Sequence, residues 1–172
     1  HGLLRRQRQM CIRDRRNPPQ YPSSFTKWKY FKWIEPVEIT NSGTYSLLPL
    51  KDEENSSFFI SSPFSEEEYF IFEYRNQEGM YDSNAPGTRS GLVAYRVNKS
   101  AGNGNASGPP DELYVYRPQG DMNNTGNLND APYSAIYDHS ELNDYSDPSC
   151  FLYNGGEGSI GGLQLVDVSE PT

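Results

Sequence analysis

The chain has 172 residues, a formal net charge of −8, 34% hydrophobic residues and 13% aromatics, 13 of them Tyr. That length suits one domain with a core of large amphipathic rings, and no run of 18 apolar residues exists to span a membrane. The charge is unevenly divided: residues 1–16 hold six Arg and one Asp, whereas residues 17–172 hold 9 basic and 22 acidic groups, a field that repels a phosphate backbone and argues against a nucleic-acid partner.

Residues 1–16, with Met10-Cys-Ile-Arg-Asp-Arg15 at their centre, do not resemble the rest of the chain and are set apart as an artefactual or disordered leader. Residues 17–172 are expected to form a single β-rich domain, truncated at both ends, with any export signal lying further upstream. Asn17 to Pro22 is a proline-held linker. Ser24–Trp33 fits a short helix capped by Ser23 or Ser24, with Phe25, Trp28 and Phe31 on one side and Lys27 and Lys29 on the other. Ile34-Glu-Pro36 ends it, because proline disfavours helical backbone before it. Val37–Thr40 and Thr44–Leu50, joined by the turn Asn41-Ser-Gly43, are expected to pair as a hairpin. Phe58–Ile60 is a third short strand.

Glu68–Arg75 and Gly91–Val97 are the pair on which the domain is organised. At period two, Tyr69, Ile71, Glu73 and Arg75 share one face, and Phe70, Phe72 and Tyr74 the other. In the second run Val93, Tyr95 and Val97 oppose Leu92, Ala94 and Arg96. Large β-favouring side chains on both faces place these strands in the middle of a sheet. The intervening loop, 76–90, is rich in turn formers and is expected to hold no helix. Beyond the loop 98–111, Glu112–Pro118 alternates again. Ala131–Tyr137 reads as a weak strand and Gly158–Val168 as the last one. The expected fold is all-β: an antiparallel twisted sheet or β-sandwich with one short N-terminal helix and long Asn/Gly-rich loops.

The order of motifs carries a resemblance. Trp33-Ile-Glu-Pro36, Ser42-Gly-Thr-Tyr-Ser-Leu47, Glu68–Arg75, Ser90–Val97, Pro110–Pro118 and Ile160-Gly-Gly-Leu-Gln-Leu165 together resemble the immune inhibitor A-like family of secreted bacterial zinc metalloproteases, in the region downstream of the zinc-binding helix. The resemblance covers residues 22–168. It implies an extracellular or cell-surface location, protein substrates, and zinc bound in an upstream catalytic portion of the same chain, with this segment as scaffold or substrate-facing half. The family's catalysis uses His-Glu-x-x-His on a helix. Here the histidines are His1 and His139, so no zinc triad can be assembled and no catalytic residue is carried over. The segment itself is expected to be inactive and to hold no cofactor, with Ca2+ the one metal its loops suit. The rival function is a free-standing carbohydrate- or protein-binding β-module, with Trp28, Trp33 and the tyrosines as a stacking platform.

Four further groups of residues invite a chemical reading. Glu73, Arg75, Arg96 and Arg117 are expected to form a structural cross-strand ion-pair cluster, since a lone buried Glu is costly. Glu66, Glu67 and Glu68 alternate sides and cannot flank one bond as paired glycosidase carboxylates do, so they read as a solvated approach to the strand. The oxygen-rich loop 121–130 offers Asp121, Asn123, Asn127 and Asp130 as calcium ligands, although Asn, Asp and Gly are also ordinary turn chemistry. Cys150 reads as an unpaired, buried thiol. The glycosylation patterns at Asn55, Asn98, Asn105 and Asn123 read as chance in a bacterial protein.

Overall fold

Five strands make the main sheet in chain order: β1 (Val37–Glu38), β2 (Ser57–Ser61), β3 (Glu68–Arg75), β4 (Gly91–Asn98) and β5 (Leu113–Val115). The structure, a computed structural model, describes residues 21–50, 56–83, 89–102, 104–105 and 109–169. The β3–β4 ladder runs unbroken from Glu68 opposite Asn98 to Arg75 opposite Gly91. β3 is the central strand, as its two-faced sequence requires.

The period-two pattern sorts the core into two clusters. Tyr69, Ile71, Val93, Tyr95, Val97 and Leu113 line one face and bury Phe25 beneath them. On the other face Phe70, Phe72, Tyr114 and Tyr116 pack against Tyr133, Leu142, Phe151 and Leu152. Each such ring or branched chain fully removed from water contributes roughly 1.5–3 kcal/mol. The cover on this second face is irregular chain, tied together by a small antiparallel pair, β6 (Leu142–Asn143) and β7 (Gln164–Leu165). At Gly91 the sheet meets this cover closely: a Cβ there would lie 2.5 Å from the Tyr133 carbonyl, so only glycine fits.

The first face is covered by a short helix, α1. An α-helical turn, Ser24–Thr26, passes into a π-helical stretch, Lys27–Phe31. Ser23 caps it, its side chain accepting from the Thr26 N–H. The far end closes where Lys32 takes a left-handed conformation, and the Lys27 carbonyl accepts from the N–H groups of both Lys32 and Trp33. The helix therefore ends before Pro36 has any influence. The expected division of its faces also fails. Lys27 is buried and donates to the Leu50 carbonyl at 2.8 Å, while Phe31 is 41% exposed. The extra residue in the π turn rotates these positions away from an ideal helical stripe.

Other local expectations give way to long-range pairing. Val37–Thr40 and Thr44–Leu50 do not form a hairpin. β1 instead pairs parallel with β2, Val37 opposite Phe58, which makes the sheet mixed rather than antiparallel. Pro49 makes only an isolated bridge to Tyr74. Among its described residues the loop 76–90 contains a helical turn, α2 (Gly79–Asp82), against the expectation of none. In Ala131–Tyr137, Tyr133 bridges Leu92 and the chain then turns 3-10 helical from Ala135 to Tyr137. The expected strand Gly158–Val168 shrinks to the two residues of β7, after a tight turn at Glu157–Ser159. At the outer edge of β5 the side chain of Asn105 stands in for a neighbouring strand. Its Oδ1 accepts from Leu113 N–H at 3.0 Å and its Nδ2 donates to the Leu113 carbonyl at 2.7 Å.

Candidate functional site

The densest group of charges lies at the end of β3, beneath α1. Strand alternation points Glu73 and Arg75 to the same face, and both are buried. Arg75 Nε donates to Glu73 Oε1 at 2.8 Å, and the Tyr95 hydroxyl donates to the same oxygen at 2.6 Å. Glu73 Oε2 accepts from the Ser24 N–H at 2.6 Å, at the first turn of α1. Arg75 Nη1 reaches Asp82 Oδ1 at 2.8 Å, which explains why loop 76–90 winds into α2: the turn delivers Asp82 to the guanidinium. The Tyr21 carbonyl accepts from both terminal nitrogens of Arg75.

Electrostatics follow from this packing. Burial pushes the Glu73 carboxyl up, but Arg75, the Ser24 N–H and the Tyr95 hydroxyl more than offset it, so its pKa lies below the ordinary value. Burial and the neighbouring Glu73 charge raise the Tyr95 phenol well above its usual range. Lys27 is held below its ordinary value by burial and by the nearby Arg75. Three donors, Arg75 among them, thus favour the ionised form of Glu73, and its carboxylate is shut away from solvent, which suits a structural pair and leaves a substrate no route to it.

Arg96 and Arg117 are not part of this group. Arg96 lies on the opposite face, where its Nε stands 3.4 Å from Glu68 Oε1. Its guanidinium is boxed by the rings of Tyr114, Phe151 and Tyr153, 5.2–5.7 Å from their centroids. Arg117 also lies over the Tyr114 ring, at 4.9 Å, and its Nε donates to the Thr125 carbonyl. One tyrosine ring therefore touches two guanidinium groups. The four residues expected to cluster fall into two buried pairs and a loop contact, because residues 73 and 96 sit on opposite faces of adjacent strands.

Glu68 corrects the expectation of a solvated glutamate run. Glu66 and Glu67 are exposed, but Glu68 is 1% exposed. Besides facing Arg96, it accepts from the Tyr153 and Asn154 N–H groups at 3.1 and 2.6 Å, fastening the irregular cover to the sheet. Glu112 was invisible to pattern reasoning. It is buried and accepts from Lys29 Nζ, the Tyr30 hydroxyl and the Gly104 N–H, so it clamps α1 from its far end. Asp82 sits in a turn-rich stretch whose composition looks like ordinary solvated loop, and Glu112 stands at the boundary between such a loop and an alternating run, where a carboxylate usually faces solvent.

The loop 121–130 spends its oxygens on itself. Asp121, exposed, accepts from the Asn123 and Asn124 N–H groups and from the Asn124 side chain, and these bonds hold its carboxyl below the ordinary range. Asn127 caps the turn Leu128–Asp130 and donates to Asp130, which also pairs with Arg89 at 3.3 Å. Among the described residues no group of three His, Cys, Asp or Glu side chains converges as metal ligands would. His139 stacks on Tyr133 with ring centroids 4.0 Å apart, and His1 lies outside the described residues.

Cys150 is fully buried and unpaired. Its thiol lies 3.0 Å from Asp144 Oδ1, the same oxygen that accepts from the Gly161 and Gly162 N–H groups. Burial, reinforced by Asp144, pushes the thiol up to about 12. Asp144 thereby ties two pieces of the cover, at Cys150 and at Gly161-Gly162, to one atom. Parts of the two loops expected to face substrate, residues 84–88, 103 and 106–108, lie outside the described residues. No helix among the described residues is long and apolar enough to cross a membrane. Compared with models of known protein families, with curated proteins and with solved structures, the chain has no match.

Proposed function

We propose that this chain is the non-catalytic, β-rich portion of a secreted zinc metalloprotease similar to immune inhibitor A, with proteolysis carried out by an upstream catalytic portion. The observation that supports this role is the fate of the motif charges. Glu68, Glu73, Arg75 and Arg96 all sit inside the sheet and all face an internal partner, as scaffold residues do and as acid–base catalysts do not. In this reading the domain holds the cleft rigid and presents the loops 76–90 and 98–111 to protein substrate. Zinc belongs to the catalytic portion.

The test is to recover the source gene upstream of Asn17 and express the intact frame. The proposal expects a His-Glu-x-x-His helix within one domain length, and chelator-sensitive hydrolysis of a protein substrate. It also expects the 172-residue chain to be inactive with added zinc. A signal peptide placed directly before Asn17, or a glycosidase there, overturns it.

One observation favours the alternative of a free-standing binding module. Trp33 is 66% exposed and its ring lies 4.5 Å from that of Phe31, itself 41% exposed, at the open end of α1. Exposed paired rings of this kind suit stacking on a sugar or a peptide. Retention on polysaccharide or protein matrices that is lost in Trp33→Ala supports that reading.

A further inference from the structure

The four Asn-x-Ser/Thr patterns are equal as sequence but not as structure. Asn98 is fully buried at the end of β4, and its Oδ1 accepts from the Ser100 N–H and hydroxyl at 2.9 and 2.6 Å. A sugar on its amide would have to occupy the sheet. Asn105 has both side-chain atoms committed to Leu113 at the edge of β5. Asn55 lies outside the described residues. Asn123 differs from both.

Residues 121–125 are exposed throughout. They form the tip of a short loop whose base is an antiparallel bridge between Gly120 and Thr125. The Asn123 backbone N–H donates to Asp121, yet its side-chain amide has no hydrogen bond within the described residues. A bulky substituent there displaces no packing and breaks no bond. Thr125, the hydroxyl residue of the pattern, is exposed beside it. Two residues before the acceptor stands Asp121, so the stretch reads Asp-Met-Asn-Asn-Thr, with an exposed carboxylate in the same turn. The bonds that Asp121 makes are all within this exposed turn, so presenting it to another protein costs only local opening.

We infer that Asn123 is an N-glycan acceptor site. The donor class is an oligosaccharide linked to a polyprenyl diphosphate. The Asn123 Nδ2 forms a bond to the anomeric carbon, the bond from that carbon to the diphosphate oxygen breaks, the polyprenyl diphosphate leaves, and the amide gives up one proton. The site requires export through a compartment that holds such a transferase. It does not depend on whether the chain is part of a protease or a free-standing module.

The experiment exports the full chain to the periplasm of a bacterial host that carries an oligosaccharyltransferase, its lipid-linked oligosaccharide and an acceptor protein known to be modified in the same cells. Intact mass and peptide mapping are the readouts. The expected result is a mass gain of one oligosaccharide on the peptide containing Asn123. It should be lost in Asn123→Gln and in Thr125→Ala, with the melting temperature of Asn123→Gln unchanged. An unmodified Asn123 alongside a modified control acceptor overturns the inference. So does a glycan carried by Asn98 or Asn105 instead.

Discussion

Glu73 Oε2 accepts the backbone N–H of Ser24 at 2.6 Å, joining the centre of the sheet to the first turn of a helix 49 residues earlier in the chain. The same carboxylate holds Arg75 and Tyr95 through its other oxygen. A single side chain therefore sets the position of α1, the conformation of a buried arginine, and through Asp82 the fold of the loop beyond β3.

Replacing Glu73 by Ala leaves Arg75 with one remaining carboxylate in a buried site. Breaking a buried pair in this way costs about 3–5 kcal/mol, or about 6–20 °C in Tm for a domain of this size. A thermal melt of Glu73→Ala should show that loss. A Tm equal to wild type would remove the pairing from the account of stability.

The pH dependence follows from the direction of the shift. The folded-state pKa of Glu73 is depressed below its ordinary 4.5, so its contribution is fully present above that pH and is lost as pH falls through the folded value. Denaturant unfolding between neutral pH and strong acid should therefore show wild type losing more stability below 4.5 than Glu73→Gln does. Parallel curves for the two proteins would contradict the assignment.

On the opposite face Glu68 uses both oxygens as acceptors, from the N–H groups of Tyr153 and Asn154. A glutamine has only one acceptor, so Glu68→Gln must turn an NH2 group toward one of these donors and also removes the charge facing Arg96. Hydrogen exchange at residues 153 and 154 should accelerate, while amides in β3 and β4 stay protected. Uniform acceleration across the sheet would mean that Glu68 supports the whole fold rather than the cover alone.

Cys150 should be inert while the protein is folded. Its thiol is buried and pushed up to about 12, so almost no thiolate exists near neutral pH. Alkylation at about pH 8, close to where an ordinary thiol ionises, followed by peptide mapping should leave the Cys150 peptide unlabelled in native buffer and fully labelled in denaturant. Native labelling at a rate typical of an exposed thiol would show that the cover over Asp144 opens.

The parts of this architecture that could be read in advance are those written at period two. β3 and β4 announce themselves because both faces carry rings or branched chains, and the two core clusters divide as the alternation of Phe70 and Ile71 requires. What escaped depends on partners distant in sequence. Asn41-Ser-Gly43 is sound turn chemistry, yet Val37 finds Phe58 instead of its neighbour across the turn. Lys27 looked solvent-facing until the Leu50 carbonyl, 23 residues on, supplied an acceptor. The expected four-residue ion cluster split because Arg96 occupies the alternate face from Glu73, a parity visible in the sequence once the register of β3 against β4 is known. Asp82 and Glu112 carried no such signal, since a turn-rich loop and the first residue of a strand look the same whether the carboxylate points outward or in.

The amide of Asn105 has a consequence for how copies of this molecule can meet. Sheets polymerise when a bare border strand offers its peptide groups to a stranger, and here Leu113 already has its donor and acceptor taken by a surrogate one residue long. At the far border β1 is only two residues long. A chain seeking to extend the sheet at Leu113 must first dislodge that surrogate, so the fold discourages fibril growth with a side chain where other proteins use charge or proline.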